Sequence, residues 1–147
     1  MQNELYSEFH YDKFIFKVKN SYFYGTNHLW FDYNKVEVTI GLSDYLEQTI
    51  GDVAFISFPK VGFSIEPNKS IIEIETMKVN HEIEISFDGS VKDINNDLND
   101  NPELINTDPY GNGWLVKVNV ENVELIKNSQ MTAIEYIKFL QNEIEHR

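Results

Sequence analysis

One lysine lies in a setting that suits covalent chemistry. Lys78 belongs to the four-residue segment 77–80, between two segments in which apolar and acidic residues alternate. Each flanking segment, 71–76 and 82–87, has the pattern of a half-buried β-strand. Because the four residues between them are few enough for a hairpin turn, we expect Lys78 at the hairpin apex with its amine in solvent.

An exposed amine at a hairpin apex can be acylated, which a carrier with a tethered cofactor requires. Tethering raises the concentration of the attached group at each partner site. Lysine between two apolar neighbours is unusual at a tip, where Gly, Asn and Asp are preferred. Taken by itself, this local pattern favours the simpler interpretation of a solvated lysine on an exposed turn. The outer faces of the two strands carry the acidic residues Glu73, Glu75, Glu82 and Glu84.

No other group of residues has the spacing of a catalytic or metal site. The chain contains no cysteine, so sulfur redox chemistry would need an attached cofactor. Residues 93–104 resemble a calcium loop only in composition, because Leu98 and Leu104 occupy the positions that need glycine and glutamate. The histidines lack metal-ligand spacing, and we expect His81 to be exposed and without a role of its own. We predict a protein that is not an enzyme and has no metal site.

Alternation and turn residues predict a chain of many short strands. A turn is expected at Asn20-Ser21, and Trp30 and Trp114 are expected in the core. Residues 1–12 have no clear pattern and are predicted to be loosely ordered. The predicted strands lie in segments 13–24, 28–40, 53–58, 71–76, 82–87, 91–94 and 114–120.

Capping residues predict the helices. Ser43 and Gly51 have the types that begin and end a short helix. Asn101-Pro102 is typical of a helix start and follows a predicted loop at 95–101. A terminal amphipathic helix is expected over 131–144. These elements predict one mainly β domain, a barrel or sandwich with helical additions.

Composition limits the partners and the compartment. The 147 residues carry a net charge of −12, which disfavours nucleic acid and anionic membrane surfaces and suits basic patches on partner proteins. No apolar run reaches 18 residues, and the first residues lack the pattern of a secretory signal or transit peptide. We therefore expect a cytoplasmic protein that does not span a membrane.

Several segments resemble the glycine cleavage H-protein family, in the family's order. The sequence Glu75-Thr76-Met77-Lys78, with Gly89 eleven residues later, resembles the lipoyl-attachment hairpin of that family. The block N-P-E-L-I-N-T-D-P-Y-G-N-G-W-L is the most specific match. Together the matches span about residues 28–140. The other similar segments are His28-Leu29-Trp30, V-T-I-G-L-S-D-Y at 38–45 and I-G-D-V-A-F-I at 50–56, followed by Pro59 and Val61-Gly62.

The resemblance implies a mainly β fold, a lipoyl-domain-like barrel-sandwich hybrid with short helices and a C-terminal helix. It divides the chain into an N-terminal extension with short strands, 1–27, and an H-protein-like lipoyl domain, 28–147. It also implies lipoate attached to Lys78 through an amide bond. Glu75 is the residue of the hairpin that we expect the lipoate-attaching enzyme to recognise.

The resemblance further implies a carrier that moves an aminomethyl group between enzymes. The implied partners are glycine decarboxylase, which uses pyridoxal phosphate, an aminomethyltransferase and dihydrolipoamide dehydrogenase. A lipoate ligase or lipoyltransferase would attach the cofactor. The carrier supplies position and protection while the cofactor supplies the chemistry. A monomer suits a mobile carrier.

Departures around the lysine leave alternatives open. The family usually has Ser-Val before the lysine and Ala after it, whereas this chain has Thr76, Met77 and Val79. Met77 is reminiscent of biotin carriers, and Leu29 replaces the usual glutamate between His and Trp. The alternatives are an H-like lipoate relay or carrier for another pathway, biotinylation, and an unmodified binding module with the same fold.

Overall fold

The computed structural model of the protein describes residues 4–146. Within that range the chain forms eleven strands and five helices. The strands are β1 (Tyr6–Tyr11), β2 (Phe14–Lys19), β3 (Phe23–Tyr24), β4 (Leu29–Tyr33), β5 (Glu37–Leu42), β6 (Val53–Ser57), β7 (Ser64–Ile65), β8 (Ser70–Thr76), β9 (Asn80–Glu84), β10 (Gly89–Ile94) and β11 (Val116–Asn119). The helices are α1 (Asp44–Ile50), α2 (Asp97–Asp100), α3 (Leu104–Thr107), α4 (Val123–Asn128) and α5 (Ala133–Glu145).

The described strands form three antiparallel sheets. A six-stranded sheet has the order β3-β4-β5-β11-β10-β7, and a three-stranded sheet has the order β6-β8-β9. Isoleucines and valines from both sheets share one apolar core. The third sheet is the two-stranded hairpin of β1 and β2. The predicted mainly β architecture with a C-terminal helix is therefore confirmed.

A second core of aromatic residues lies beside the first. It joins the β1–β2 hairpin to α1 and to the C-terminal helix α5. Phe16 packs edge-on against Tyr45 of α1, with ring centroids 5.1 Å apart, and Tyr24 stacks on Tyr136 at 4.4 Å. Contacts of this kind bury large apolar areas and fix the direction of each ring. This core packs the N-terminal hairpin together with α1 and α5.

The N-terminal segment is more regular than its sequence predicts. Loose order is predicted for residues 1–12, of which residues 1–3 lie outside the described part of the chain. For residues 4–12 the prediction is wrong, because residues 6–11 form β1. The strand forms through its partner, since Phe9 of β1 pairs with Phe16 of β2 and both are buried. Asp12 turns the chain between them with φ at +53°, a conformation that aspartate tolerates. The predicted turn at Asn20-Ser21 is confirmed.

The helix predictions have mixed outcomes. The side chain of Ser43 caps α1 and Gly51 ends it, as predicted. The capping box of Thr132 and Glu135 at the start of α5 is also confirmed. The loop predicted over 95–101 is wrong in part, because burial of Leu98 folds residues 97–100 into the short helix α2.

Other element ends differ from the prediction. The expected helix start at Asn101 is displaced, since α3 begins only at Leu104 and has no side-chain cap. The strand predicted to reach residue 87 ends at Glu84 in β9. Trp30 is buried as predicted, whereas Trp114 is only partly buried against the aromatic core. The two-residue strand β7 and the helix α4 were not predicted, because their segments are too short to show a period.

The division at residue 27 stays a prediction. Strand β3, which falls within the predicted extension, belongs to the six-stranded sheet through its pairing with β4.

None of the helices within residues 4–146 is long and apolar enough to cross a membrane.

Candidate functional site

Lys78 lies at the apex of the hairpin formed by β8 and β9. The two strands pair in antiparallel register from Ser70 opposite Glu84 to Glu75 opposite Asn80. Their inner face is buried, and at the tip the side chains of Met77 and Val79 are 90% and 43% exposed. The residues that anchor the inner face are Ile72, Ile74, Ile83 and Ile85. The predicted hairpin and the apical position of Lys78 are thus confirmed as geometry.

The hydroxyl of Thr76 organises the turn that carries Lys78. Its Oγ1 accepts hydrogen bonds from the backbone N–H groups of Lys78, at 3.1 Å, and Val79, at 3.0 Å. The same hydroxyl donates to the carbonyl of Val79, which also accepts the N–H of Thr76 at 2.9 Å. A side-chain oxygen that binds backbone groups two and three residues ahead is a known way to stabilise a tight turn. The turn holds the lysine backbone in one conformation.

The side chain of Lys78 leans toward the end of helix α1. Its Nζ donates a hydrogen bond to the carbonyl oxygen of Thr49 at 3.2 Å. The last turn of α1 has no basic residue of its own, so Lys78 supplies a cation at the negative end of the helix dipole. Gly51 follows with φ at +86°, a value that favours glycine, and the aliphatic part of Lys78 lies about 3.9 Å from the position of a Cβ there.

Asn106 fixes the chain where α1 passes into β6. Its Nδ2 donates to the carbonyl of Gly51 at 2.9 Å, and its Oδ1 accepts the N–H of Val53 at 2.9 Å. The same Nδ2 lies 3.3 Å from Oε1 of Glu47. The two backbone groups would otherwise lack partners between the helix and the strand. One side chain therefore positions the helix end that Lys78 touches.

Glu47 is a buried carboxyl group one turn before that helix end. Only 7% of its surface is exposed, and burial raises its pKa to about 9, with a further rise from a hydrogen bond with Asp44. The hydrogen bond from Asn106 acts in the opposite direction. Glu47 is therefore protonated in the folded protein at neutral pH.

Glu75 lies exposed on the outer face of the hairpin, near the tip. It pairs with Phe55 of β6 on one side and with Asn80 of β9 on the other. Phe55 is itself 57% exposed, so an acidic and an apolar side chain stand together close to Lys78. This face is open to a modifying enzyme.

The prediction that His81 is exposed is wrong. His81 pairs with Ile74 and so points to the inner side of the hairpin, where it is half-buried. Burial lowers its pKa. The side chain lines a cavity of about 520 Å³ between the hairpin and residues 24–31. No cluster of three or more potential metal ligands occurs among residues 4–146.

The fold and the site together define a carrier domain: a small β sandwich that presents one lysine on a rigid hairpin. A family model described as "Glycine cleavage H-protein" matches residues 22–143. The chain therefore belongs to the glycine cleavage H-protein family, whose members are non-catalytic carriers.

Individual relatives agree with the family match. A probable glycine cleavage system H protein of Pyrococcus abyssi is 33% identical over 128 residues, which cover 86% of this chain and 95% of the relative. The glycine cleavage system H protein of Mycobacterium leprae is 34% identical over 113 residues, 76% of this chain and 86% of the relative. The crystal structure of the H protein from Mycobacterium marinum superposes with a TM-score of 0.72 at 27% identity, covering 86% of this chain and 99% of that one. The likeness confirms the predicted barrel-sandwich fold.

Sequence reasoning did not assign roles to Thr76, Asn106 or Glu47. A threonine two residues before the apical lysine is a turn signal that the sequence does contain. The roles of Asn106 and Glu47 depend on contacts across 53 to 59 residues of sequence, which a local pattern does not show.

Thr76→Val is expected to loosen the turn at Lys78. The variant keeps the side-chain shape but loses a hydroxyl that makes three hydrogen bonds, each contributing about 1 kcal/mol. Amide hydrogen exchange at Lys78 and Val79 should accelerate by roughly tenfold or more. Thr76→Ser, which retains the hydroxyl, is the matched control and should exchange like the wild type. Equal exchange in all three proteins would contradict this role.

Glu47→Gln is expected to remove a pH dependence of stability. The folded pKa of about 9 lies above the unfolded value of about 4.5, so the folded state binds more protons between these values and stability falls as pH rises through that window. The neutral glutamine should stabilise the protein at pH 7 by about 1–3 kcal/mol. Denaturant unfolding at pH 5, 7 and 9 measures this, with the exposed Glu121→Gln as control. A parallel pH profile for the wild type and Glu47→Gln is the contrary result.

Proposed function

We propose that Lys78 is the lipoyl-attachment residue and that the protein is the lipoyl carrier of a glycine cleavage system. The observation that carries the proposal is the position of Lys78 at the tip of a rigid, exposed hairpin inside the segment that matches the family. The segment Glu75-Thr76-Met77-Lys78 resembles the lipoyl-attachment hairpin of the family. Membership of the family implies a lipoate cofactor.

The residues around Lys78 suit an acylated amine. The side chain is exposed, and its Nζ donates to the carbonyl oxygen of Thr49, an acceptor to which the N–H of an acylated amine can also donate. The turn held by Thr76 would keep the attached arm in one starting direction. When attached, the lipoyl group supplies a disulfide that accepts the aminomethyl group and is regenerated by reoxidation.

The partners follow from the carrier role. The family works with the enzymes of the glycine cleavage system. We infer docking onto the decarboxylase, the aminomethyltransferase and dihydrolipoamide dehydrogenase, and modification by a lipoate ligase or lipoyltransferase. A net charge of −12 favours basic docking patches on these enzymes and faster encounter at low salt. A cytoplasmic location and a monomeric state stay predictions that cell fractionation and light scattering would test.

The attachment proposal is tested by mass. We expect a lipoyl adduct on the intact protein from its native cell and after treatment with lipoate ligase, and none on Lys78→Arg. Lys60→Arg, another exposed lysine, is the matched control and should be modified like the wild type. Wild-type protein without any adduct would overturn the carrier function. A biotin adduct, for which Met77 gives a motive, would overturn the identity of the cofactor.

Glu75→Gln is expected to slow lipoylation by lipoate ligase. The loss of one charge-assisted contact near the lysine corresponds to about 1.5 kcal/mol, or roughly a tenfold fall in kcat/KM. Glu84→Gln removes an equal charge from the same strand pair, farther from the tip, and serves as control. Equal effects in the two variants would show a general dependence on charge rather than recognition of Glu75.

A further inference from the structure

The N-terminal hairpin of β1 and β2 lies before the residues that the family model matches. It is nevertheless held firmly against helix α1. The backbone N–H of Lys17 donates to Oδ2 of Asp44 at 2.8 Å, and Gln48 Nε2 donates to the carbonyl of Ile15 at 3.1 Å. Because these contacts fix β2 on α1, the turn that precedes β2 is held in place as well.

The turn of this hairpin stands beside Lys78. A cleft of about 270 Å³ is lined by Lys78, by Tyr11 and Phe14 on either side of the turn, and by residues of α1 and α5. Tyr11 and Phe14 are cross-strand partners, and each is 44% exposed. The N-terminal hairpin therefore brings two exposed rings next to the lysine at the tip of the β8–β9 hairpin.

Two further apolar side chains flank Lys78 within its own hairpin. Met77 is 90% exposed and Val79 is 43% exposed, at a tip where glycine and small polar residues are the usual types. We call Tyr11, Phe14, Met77 and Val79 the apolar collar of Lys78. Single exposed apolar residues are common, but a group of them around one reactive side chain indicates a contact surface for another protein. Aromatic residues and methionine are also the types enriched at such surfaces.

Charged groups accompany the apolar collar. Nζ of Lys13 lies 5.8 Å from the centroid of the Phe14 ring, and among residues 4–146 no carboxylate forms a salt bridge with it. Glu75 adds an exposed carboxylate on the outer face of the β8–β9 hairpin, three residues before Lys78. A complementary partner therefore has an apolar depression, a carboxylate opposite Lys13 and a cation opposite Glu75.

We propose that the apolar collar is a docking surface for the enzyme that attaches lipoate to Lys78. The inference rests on the proposed attachment and adds the surface, partly built by this chain's own N-terminal hairpin, that the attaching enzyme contacts. In the acylation the unprotonated amine attacks the carbonyl carbon of an activated lipoyl group. A C–N bond forms, the bond to the leaving group breaks, and the nitrogen gives up a proton.

The position of this reaction selects the attaching enzyme as the partner. Its active site must come within bonding distance of Nζ, so its walls lie against the side chains that flank Lys78. The amine must also leave the carbonyl of Thr49, and binding energy from the apolar collar offsets the loss of that hydrogen bond. Enzymes that use the finished carrier act at the disulfide, which is a full arm's length from Nζ.

The first test measures lipoylation of the full-length apo protein by lipoate ligase from its native cell, with lipoate and ATP. Phe14→Ala should raise KM roughly five- to tenfold with little change in kcat, because loss of an aromatic contact weakens binding. Ile15→Ala is the matched control, since Ile15 is 48% exposed on the opposite face of the same strand and does not line the cleft. Thermal melts check that both variants stay folded.

The second test measures docking without the chemistry. Lys78→Arg keeps the apolar collar but cannot form the lipoyl amide, so it should compete with the wild-type protein for the ligase. Adding Phe14→Ala to this competitor should raise its inhibition constant by roughly the same five- to tenfold, whereas adding Ile15→Ala should leave it unchanged.

The third test concerns the charge beside the collar. Lys13→Glu should raise KM for lipoylation roughly threefold at low salt, and the effect should fade at high salt. Lys35→Glu, at an exposed position in the turn between β4 and β5, makes the same change in net charge and serves as control. Equal effects of the two variants would contradict a contact at Lys13.

The outcomes separate this inference from the attachment on which it rests. Wild-type protein that stays unmodified would refute both. A modified wild type, with equal constants for Phe14→Ala and Ile15→Ala in both assays, would refute only the docking. Normal lipoylation of Phe14→Ala, together with weaker use of its lipoylated form by the decarboxylase, would assign the apolar collar to that enzyme and also overturn the proposal.

Discussion

The burial of one face of the β8–β9 hairpin is the constraint on which the site depends. Four isoleucines, two on β8, one on β9 and one just after β9, are almost completely buried in the core shared by the two larger sheets. Each contributes about 1.5–3 kcal/mol on burial. A slip of one residue would turn the isoleucines of the slipped strand to solvent, so the register is strongly determined. That register is what leaves Lys78 at the apex and the acidic face outward.

The second requirement is a fixed surface for the lysine side chain. The end of helix α1 supplies it, and Asn106 holds this end against β6 through two backbone groups. At the other end of α1, Ser43 caps the helix and shares its hydroxyl with Tyr136 of α5, which in turn contacts His28. Buried polar groups linked in this way hold a unique arrangement when all of them have partners. Within residues 4–146 no buried side-chain polar atom lacks one. The helix that the lysine touches is therefore anchored at both ends.

Sequence reasoning succeeded where a local rule governs the structure and failed where a distant partner does. The strands on either side of Lys78 alternate in period two, and Ser43, Gly51 and Thr132 are standard capping residues, so these elements were predictable. Strand β1 was missed because its order comes from pairing with β2 and from aromatic contacts with α1 and α5. His81 was misassigned because its polarity suggested solvent, whereas the strand register turns it inward.

The amino-acid sequence by itself determined the hairpin, its apical lysine and the family to which the chain belongs. The first two follow from short-range alternation of apolar and polar residues, and the third follows from segments that resemble the family and occur in the family's order. Only the tertiary structure decided what surrounds the lysine. The contact of Lys78 with Thr49 spans 29 residues, and the cleft beside it is lined by residues of β1, β2, α1 and α5. The buried, protonated state of Glu47 likewise depends on packing around α1. Such contacts follow from the direction in which side chains pack after the elements assemble, and this direction is not encoded in any local period.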